Sequence, residues 1–136
     1  CNEYFYIPHR KERRGIGGIF LDNTKHLTID KSIELLASIA KSYAESYAEI
    51  IKRRFKTPFS NEDKEFQSLR RGRYVEFNLV NDRGTAFGLQ SNGRIPSILA
   101  SLPLNASWKY KKEKALELRE NKLVKTINRD WNVKNI

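Results

Sequence analysis

The chain has 136 residues, enough for one domain with a real core. Hydrophobic residues make up 39% and charged residues 31%, no stretch approaches the ~20 apolar residues of a membrane span, and one cysteine excludes an internal disulfide and fits a reducing compartment. The formal charge of +10 favours anionic partners, whether nucleic acid, acidic lipid or an acidic metabolite, without choosing among them.

The first residues read as the middle of a structured segment. The chain opens on Cys1 and contains no Met, and Tyr4, Phe5 and Tyr6 need something to pack against, so it is expected to be part of a longer polypeptide. Arg10 to Arg14 form a basic turn, and Gly15 to Gly18 form a loop predicted to enter a strand at about residues 17–22. From Ile29 to about Arg54, Ile33, Leu36, Ala37, Ala40, Tyr43, Ala44, Tyr47, Ile50 and Ile51 recur at helical spacing. Thr28 is the expected N-cap of this helix; Asp30 in its first turn and Lys52, Arg53 and Arg54 in its last suit the macrodipole. Pro58 ends the run, and Ser60-Asn61-Glu62-Asp63 starts a short second helix that is predicted to stop near Arg70-Arg71-Gly72.

Arg73 to Asn81 alternates, with Val75, Phe77 and Leu79 on one side, and predicts a strand. Asp82 to Thr85 reads as a turn into a return strand from Ala86 to Gln90, giving a hairpin. Asn92-Gly93 marks another turn; Ile95 to Leu102 predicts a short helix with Pro96 in its first turn. Asn105 to Lys111, around Trp108 and Tyr110, predicts a further strand, and Glu113 to Thr126 a charged helix with Leu116, Leu123 and Val124 as its apolar stripe. This order of elements predicts an α+β fold with an antiparallel sheet.

Zinc, phosphate-loop and nucleophile-elbow signatures are not found in the sequence, and Gly15-Ile16-Gly17-Gly18 is not a dinucleotide fingerprint. His9 and His26 are too few for a self-contained metal site. The informative feature is arginine beside glycine, in Arg13-Arg14-Gly15, Arg71-Gly72-Arg73, Arg83-Gly84 and Gly93-Arg94. Glycine admits a ligand close to the backbone and arginine grips carboxylates, so such corners suit a polyanion; solvated turn arginines or structural ion pairs are the alternative. Asp82, at a turn beside Arg83, is either an acceptor for ligand N–H groups or an Asx-turn residue.

Longer blocks carry a resemblance. His9-Arg10 with Glu12 and Arg14-Gly15-Ile16-Gly17-Gly18-Ile19-Phe20, the stretch Arg71 to Leu89 (RGRYVEFNLVNDRGTAFGL), Gly93-Arg94-Ile95 with Ser97-Ile98-Leu99 and Ser101-Leu102-Pro103, Trp108 with Tyr110, and Arg129-Asp130-Trp131 resemble, in order and spacing, the C-terminal part of the oxygen-dependent coproporphyrinogen III oxidases. Residues 1–136 are then expected to be the C-terminal portion of a single domain of that family, whose fold is an antiparallel sheet flanked by helices on both faces. The resemblance implies oxidative decarboxylation of two propionates of coproporphyrinogen III to vinyl groups, giving protoporphyrinogen IX in haem biosynthesis. Molecular oxygen is the implied co-substrate, a divalent metal cation accompanies bacterial members, and no organic cofactor is expected.

By the same resemblance Asp82 and Arg83 are catalytic, Asn92, Gly93, Arg94 and Arg14 bind substrate, and His9 is a metal ligand. A homodimer through about Tyr74 to Lys109, a cytoplasmic location, no nucleic-acid partner and no membrane span are also implied. The family's proton-donating histidine falls outside this chain, and its other metal histidines do too. Asn23, Asn81, Asn92, Pro96, Ser107 and Lys109 depart from the family pattern. These departures motivate an alternative, an inactive remnant that keeps the fold and dimer interface; a basic nucleic-acid-binding domain is a remote one.

Overall fold

A computed structural model describes residues 1–21, 25–111 and 113–131. They fall into two compact units, Cys1–Ile19 with Ser60–Ile136, and Phe20–Phe59. The second unit is dominated by helix α1, Ile29–Arg54. Thr28 caps it as expected, its hydroxyl accepting from the Lys31 N–H at 3.3 Å. Tyr43 and Tyr47, one turn apart, stack at 5.6 Å, and no residue of α1 is buried.

In the first unit, β1 (Tyr6–Ile7) pairs antiparallel with β2 (Glu12–Arg13), Tyr6 opposite Arg13 and Ile7 opposite Glu12. A short 3₁₀ turn at Pro8–Arg10 and Lys11 in the left-handed region (φ 54°) close this hairpin. Helix α2, Asn61–Glu76, starts on a reciprocal cap: the Ser60 hydroxyl accepts from the Asp63 N–H, and the Asp63 carboxylate accepts from the Ser60 N–H. It widens into a π-helical turn at Phe77–Asn81. Helices α3 (Arg83–Gln90), α4 (Ile95–Ile98) and α5 (Lys114–Ile127) follow. The described chain is therefore α+β in the sense of a helix-rich body with one two-stranded antiparallel sheet.

Ile7, Leu69, Phe77, Leu116 and Ile127 form the buried apolar core, but charges are buried beside them. Arg70 on α2 grips Glu12 of β2 with both terminal nitrogens, at 2.7 and 3.2 Å, and also donates to Glu120 of α5 at 3.0 Å. Arg73, one turn later, reaches the same Glu120 oxygen at 3.2 Å. Two arginines on one face of α2 thus tie the hairpin and the last helix to it. Such a buried ion network holds only if every member keeps its partners.

The predicted hairpin from Arg73 to Gln90 and the predicted end of α2 at Gly72 are corrected: this stretch is helical throughout, apart from the break at Asp82. The reason is periodicity. Leu69, Gly72, Arg73 and Phe77 are buried, a spacing of three, one and four that marks a helix face, whereas Leu79 of the supposed strand face is 52% exposed. Gly72 is not a terminator but a contact: a Cβ there would meet the Ser107 carbonyl oxygen at 2.6 Å and Trp108 at 3.2 Å.

The predicted strand at Asn105 to Lys111 is likewise an irregular segment. It is laid along α2 by the Ser107 N–H to Ser68 carbonyl bond of 3.0 Å and by a Lys109–Glu65 ion pair. No strand forms at residues 17–21, where Gly17 (φ 56°) and Gly18 (φ 137°) take positive-φ backbone; Asp22 and the Asn23 departure lie outside the described residues. The helix expected from Ile95 to Leu102 is confined to Ile95–Ile98, while α5 matches its expected span to one residue at each end.

Two outcomes follow for stability. Gly72→Ala is expected to destabilise the first unit by about 1–3 kcal/mol in urea unfolding, because overpacking against Ser107 and Trp108 outweighs alanine's better helix propensity. Glu120→Ala leaves Arg70 and Arg73 short of an acceptor and is expected to cost about 3–5 kcal/mol by the same measurement.

Candidate functional site

Asp82 sits where the π-helical turn ends and α3 begins. Its extended backbone (φ −76°, ψ 117°) makes it the N-cap of α3, and its Oδ2 accepts from both the Thr85 N–H at 2.7 Å and the Thr85 hydroxyl at 2.9 Å. Gly84 makes room, since a Cβ there would lie 3.2 Å from that oxygen. With Oδ2 so anchored, Oδ1 makes no hydrogen bond among the described residues. Both readings of Asp82 from the sequence are thereby compatible, because one oxygen builds the turn and the other is left to accept. Sequence reasoning missed Asp82 as a helix cap, although Asp is among the preferred N-cap residues. The Asn81 side-chain nitrogen, immediately before Asp82, is buried without a hydrogen-bond partner.

Arg14 and Arg83 stand on neighbouring aromatic rings. The Arg14 guanidinium lies over Phe5, 3.8 Å from the ring centre, and Arg83 lies over Tyr4 at 5.4 Å. Tyr4 and Phe5 pack edge to face with centroids 4.8 Å apart. Phe5 in turn contacts buried Phe77 at 5.7 Å, and the Phe77 carbonyl accepts the Asp82 N–H at 3.0 Å. Arg14, Asp82 and Arg83 are thus gathered around one aromatic cluster.

Asn92, Gly93 and Arg94 are placed elsewhere, beyond the far end of α3. That eight-residue helix is ~12 Å long. Asn92 occupies the left-handed region (φ 56°), and Gly93 hydrogen-bonds back to the Gly88 carbonyl at 2.9 Å, with no space for a Cβ between Gly88 and Ile98. The Arg94 carbonyl starts α4 by accepting from Ser97 and Ile98. Arg14 also lines a cavity of roughly 210 Å³ with Arg70, Arg73 and Tyr74. Its walls do not include Asp82, Arg83 or Arg94.

His9 joins a second charged cluster centred on Glu76. Oε1 of Glu76 accepts from Arg10 at 2.6 Å, Trp108 at 2.9 Å and Arg73 at 3.0 Å; Oε2 accepts from the Arg10 Nε at 2.7 Å and lies 2.7 Å from His9 Nε2. Burial pushes this carboxyl up, but the hydrogen bonds from Arg10, His9 and Trp108 outweigh it and hold its pKa at about 2. For a metal the fit is poor among the described residues: no three His, Cys, Asp or Glu side chains gather anywhere, and the carboxylate beside His9 is already neutralised by two guanidinium groups. Sequence reasoning missed Glu76 and Arg10 because Glu76 was placed in a strand, where its three-residue spacing from Arg73 carries no meaning.

The depressed pKa has a definite sign. Glu76 contributes stability in full above the ordinary carboxylate range near 4.5, and that contribution is lost as pH falls towards about 2. Glu76→Gln is expected to lower stability by about 2 kcal/mol at neutral pH, and its deficit relative to the unaltered chain should shrink between pH 4.5 and 2 in urea titrations.

Residues 1–132 match the coproporphyrinogen III oxidase family. Two proteins named oxygen-dependent coproporphyrinogen-III oxidase, from Francisella tularensis subsp. holarctica strains OSU18 and FTNF002-00 / FTA, are each 48% identical over 132 residues, which is 96% of this chain and 43% of theirs. The chain thus spans less than half the length of these curated relatives. Every residue of the aromatic cluster, the Asp82 cap and the Glu76 cluster lies inside the matched span, and the chain belongs to the coproporphyrinogen III oxidase family.

Proposed function

We infer that this chain is the C-terminal portion of an oxygen-dependent coproporphyrinogen III oxidase. The observation that carries the reading is identity of 48% along 96% of the chain with proteins bearing that name. The substrate is a flexible ring bearing four carboxylates and four pyrrole N–H groups. In each of two oxidations a propionate loses CO2 from its end and a hydride equivalent from the carbon next to the pyrrole, leaving a vinyl group. The two electrons and two protons reduce one O2 to hydrogen peroxide, so the atoms balance without an organic cofactor.

Removing hydride next to a pyrrole places positive charge on that ring. The Asp82 oxygen not used by Thr85 suits acceptance of the pyrrole N–H and stabilisation of that charge. Arg83 and Arg14 are proposed to hold carboxylates on the same side, and Arg94, with the backbone at Asn92 and Gly93, to hold the substrate beyond the far end of α3. His9 serves a metal only with ligands from outside the described residues, so no step is assigned to one. The reading includes a homodimer through about Tyr74 to Lys109, a cytoplasmic location, and, for the completed protein, an antiparallel sheet flanked by helices on both faces. No helix among the described residues is long and apolar enough to cross a membrane.

Turnover of coproporphyrinogen III in air, followed by porphyrin fluorescence after oxidation of the product, tests the reading on this chain and on a protein completed to its relatives' length. The completed protein is expected to turn over, and Asp82→Asn to slow it by about 10²- to 10³-fold with binding largely kept. Silence from a completed protein with verified folding overturns the reading.

A further inference from the structure

Two sets of arginines in the first unit contrast. Arg10, Arg13, Arg70, Arg73 and Arg119 each pair with a carboxylate. Among the described residues Arg14 and Arg83 pair with none, and their charge is met by the faces of Phe5 and Tyr4 instead. A guanidinium on a ring face is held in place yet keeps its N–H edge for a carboxylate. The two rings are inclined at 72°, so the two guanidinium groups stand on faces that point in different directions. Such a pair suits two separate carboxylates better than one.

The platform is fixed from below. Phe5 rests against buried Phe77, its N–H bonds to the Cys1 carbonyl at 3.0 Å, and its carbonyl accepts the Arg14 N–H at 3.2 Å. Phe77 also receives the N–H of Asp82. The platform, its two cations and the acceptor at Asp82 are therefore parts of one connected arrangement.

We propose that Tyr4 and Phe5 are positioning residues: an aromatic platform that holds Arg14 and Arg83 as a two-jawed clamp for two carboxylates of one polycarboxylate ring, beside the Asp82 acceptor. The proposal rests on the coproporphyrinogen reading and adds to it residues whose role is to aim the arginines, not to touch the reacting atoms. Tyr4 is 38% exposed, so its substitution tests the clamp with little risk to the core.

The probe is coproporphyrin III, the air-stable oxidised ring with the same four carboxylates, titrated into the protein completed to its relatives' length and followed by its absorption; its tetramethyl ester serves as the uncharged control. That protein is expected to bind the acid and not the ester. Tyr4→Leu should weaken binding about 3- to 5-fold, and Arg83→Ala about 10-fold. Tyr4→Phe should bind like the unaltered protein, and Tyr4→Leu should cost nothing further once Arg83→Ala is present. Losses that add in the double variant, or a Tyr4→Phe as weak as Tyr4→Leu, overturn the clamp while leaving the proposed function standing. A folded completed protein that binds neither form overturns both.

Discussion

Two guanidinium groups and three carboxylates, packed together in the first unit, set the conditions for the rest of its structure. Arg70 and Arg73 occupy one face of α2, Glu12 comes from β2, Glu120 from α5, and Glu76 ends α2 and draws in Arg10. Glu12, Arg73 and Glu120 are each buried. Charges taken out of water are tolerable only when each is met by an opposite charge in good geometry. The hairpin and the last helix therefore have little freedom in how they approach α2, and the apolar contacts of Ile7, Leu69, Leu116 and Ile127 close around that constraint.

The arginines of the first unit are used in different ways. Pairing inside the unit consumes Arg10, Arg13, Arg70, Arg73 and Arg119, and Arg13 in addition ties the segment after α5 to β2 through Asp130 at 2.9 Å and the Arg129 carbonyl at 3.0 Å. Arg14 and Arg83, next to these in sequence or space, are held by aromatic rings instead. A cation aimed by a ring and not neutralised by a carboxylate is poised for an external anion. At the turn before α3, Thr85 holds one Asp82 carboxylate oxygen and Gly84 leaves room for it, while the other oxygen makes no hydrogen bond among the described residues.

Much of the candidate site was legible because its residues sit in contiguous blocks whose order does not depend on the fold. Asp82, Arg83 and Arg14 could be named from those blocks, and Thr28 and Ser60 from capping rules that act over three residues. That Asn92-Gly93-Arg94 stands at the other end of α3 from Asp82 could not be read in this way, since it follows from α3 being a helix. Had residues 83–90 been a strand, the separation and direction between these groups would differ.

By itself the sequence determined the long helix α1, the start of α2, the extent of α5 and the family, because periodicity, capping chemistry and contiguous motifs are local properties. The tertiary structure alone decided the state of Arg73 to Asn81, whose alternating pattern satisfies a strand and whose buried positions satisfy a helix. Packing chose the helix: Leu69, Arg73 and Phe77 must share one face for Arg73 to meet Glu120 and for Phe77 to support Phe5, and Gly72 must lie on that helix for Ser107 and Trp108 to approach it. Which arginines pair with carboxylates and which lie on aromatic rings was decided at the same level. An ion pair joins residues such as Arg70 and Glu12, 58 positions apart in the chain, and no local pattern specifies that distance in space.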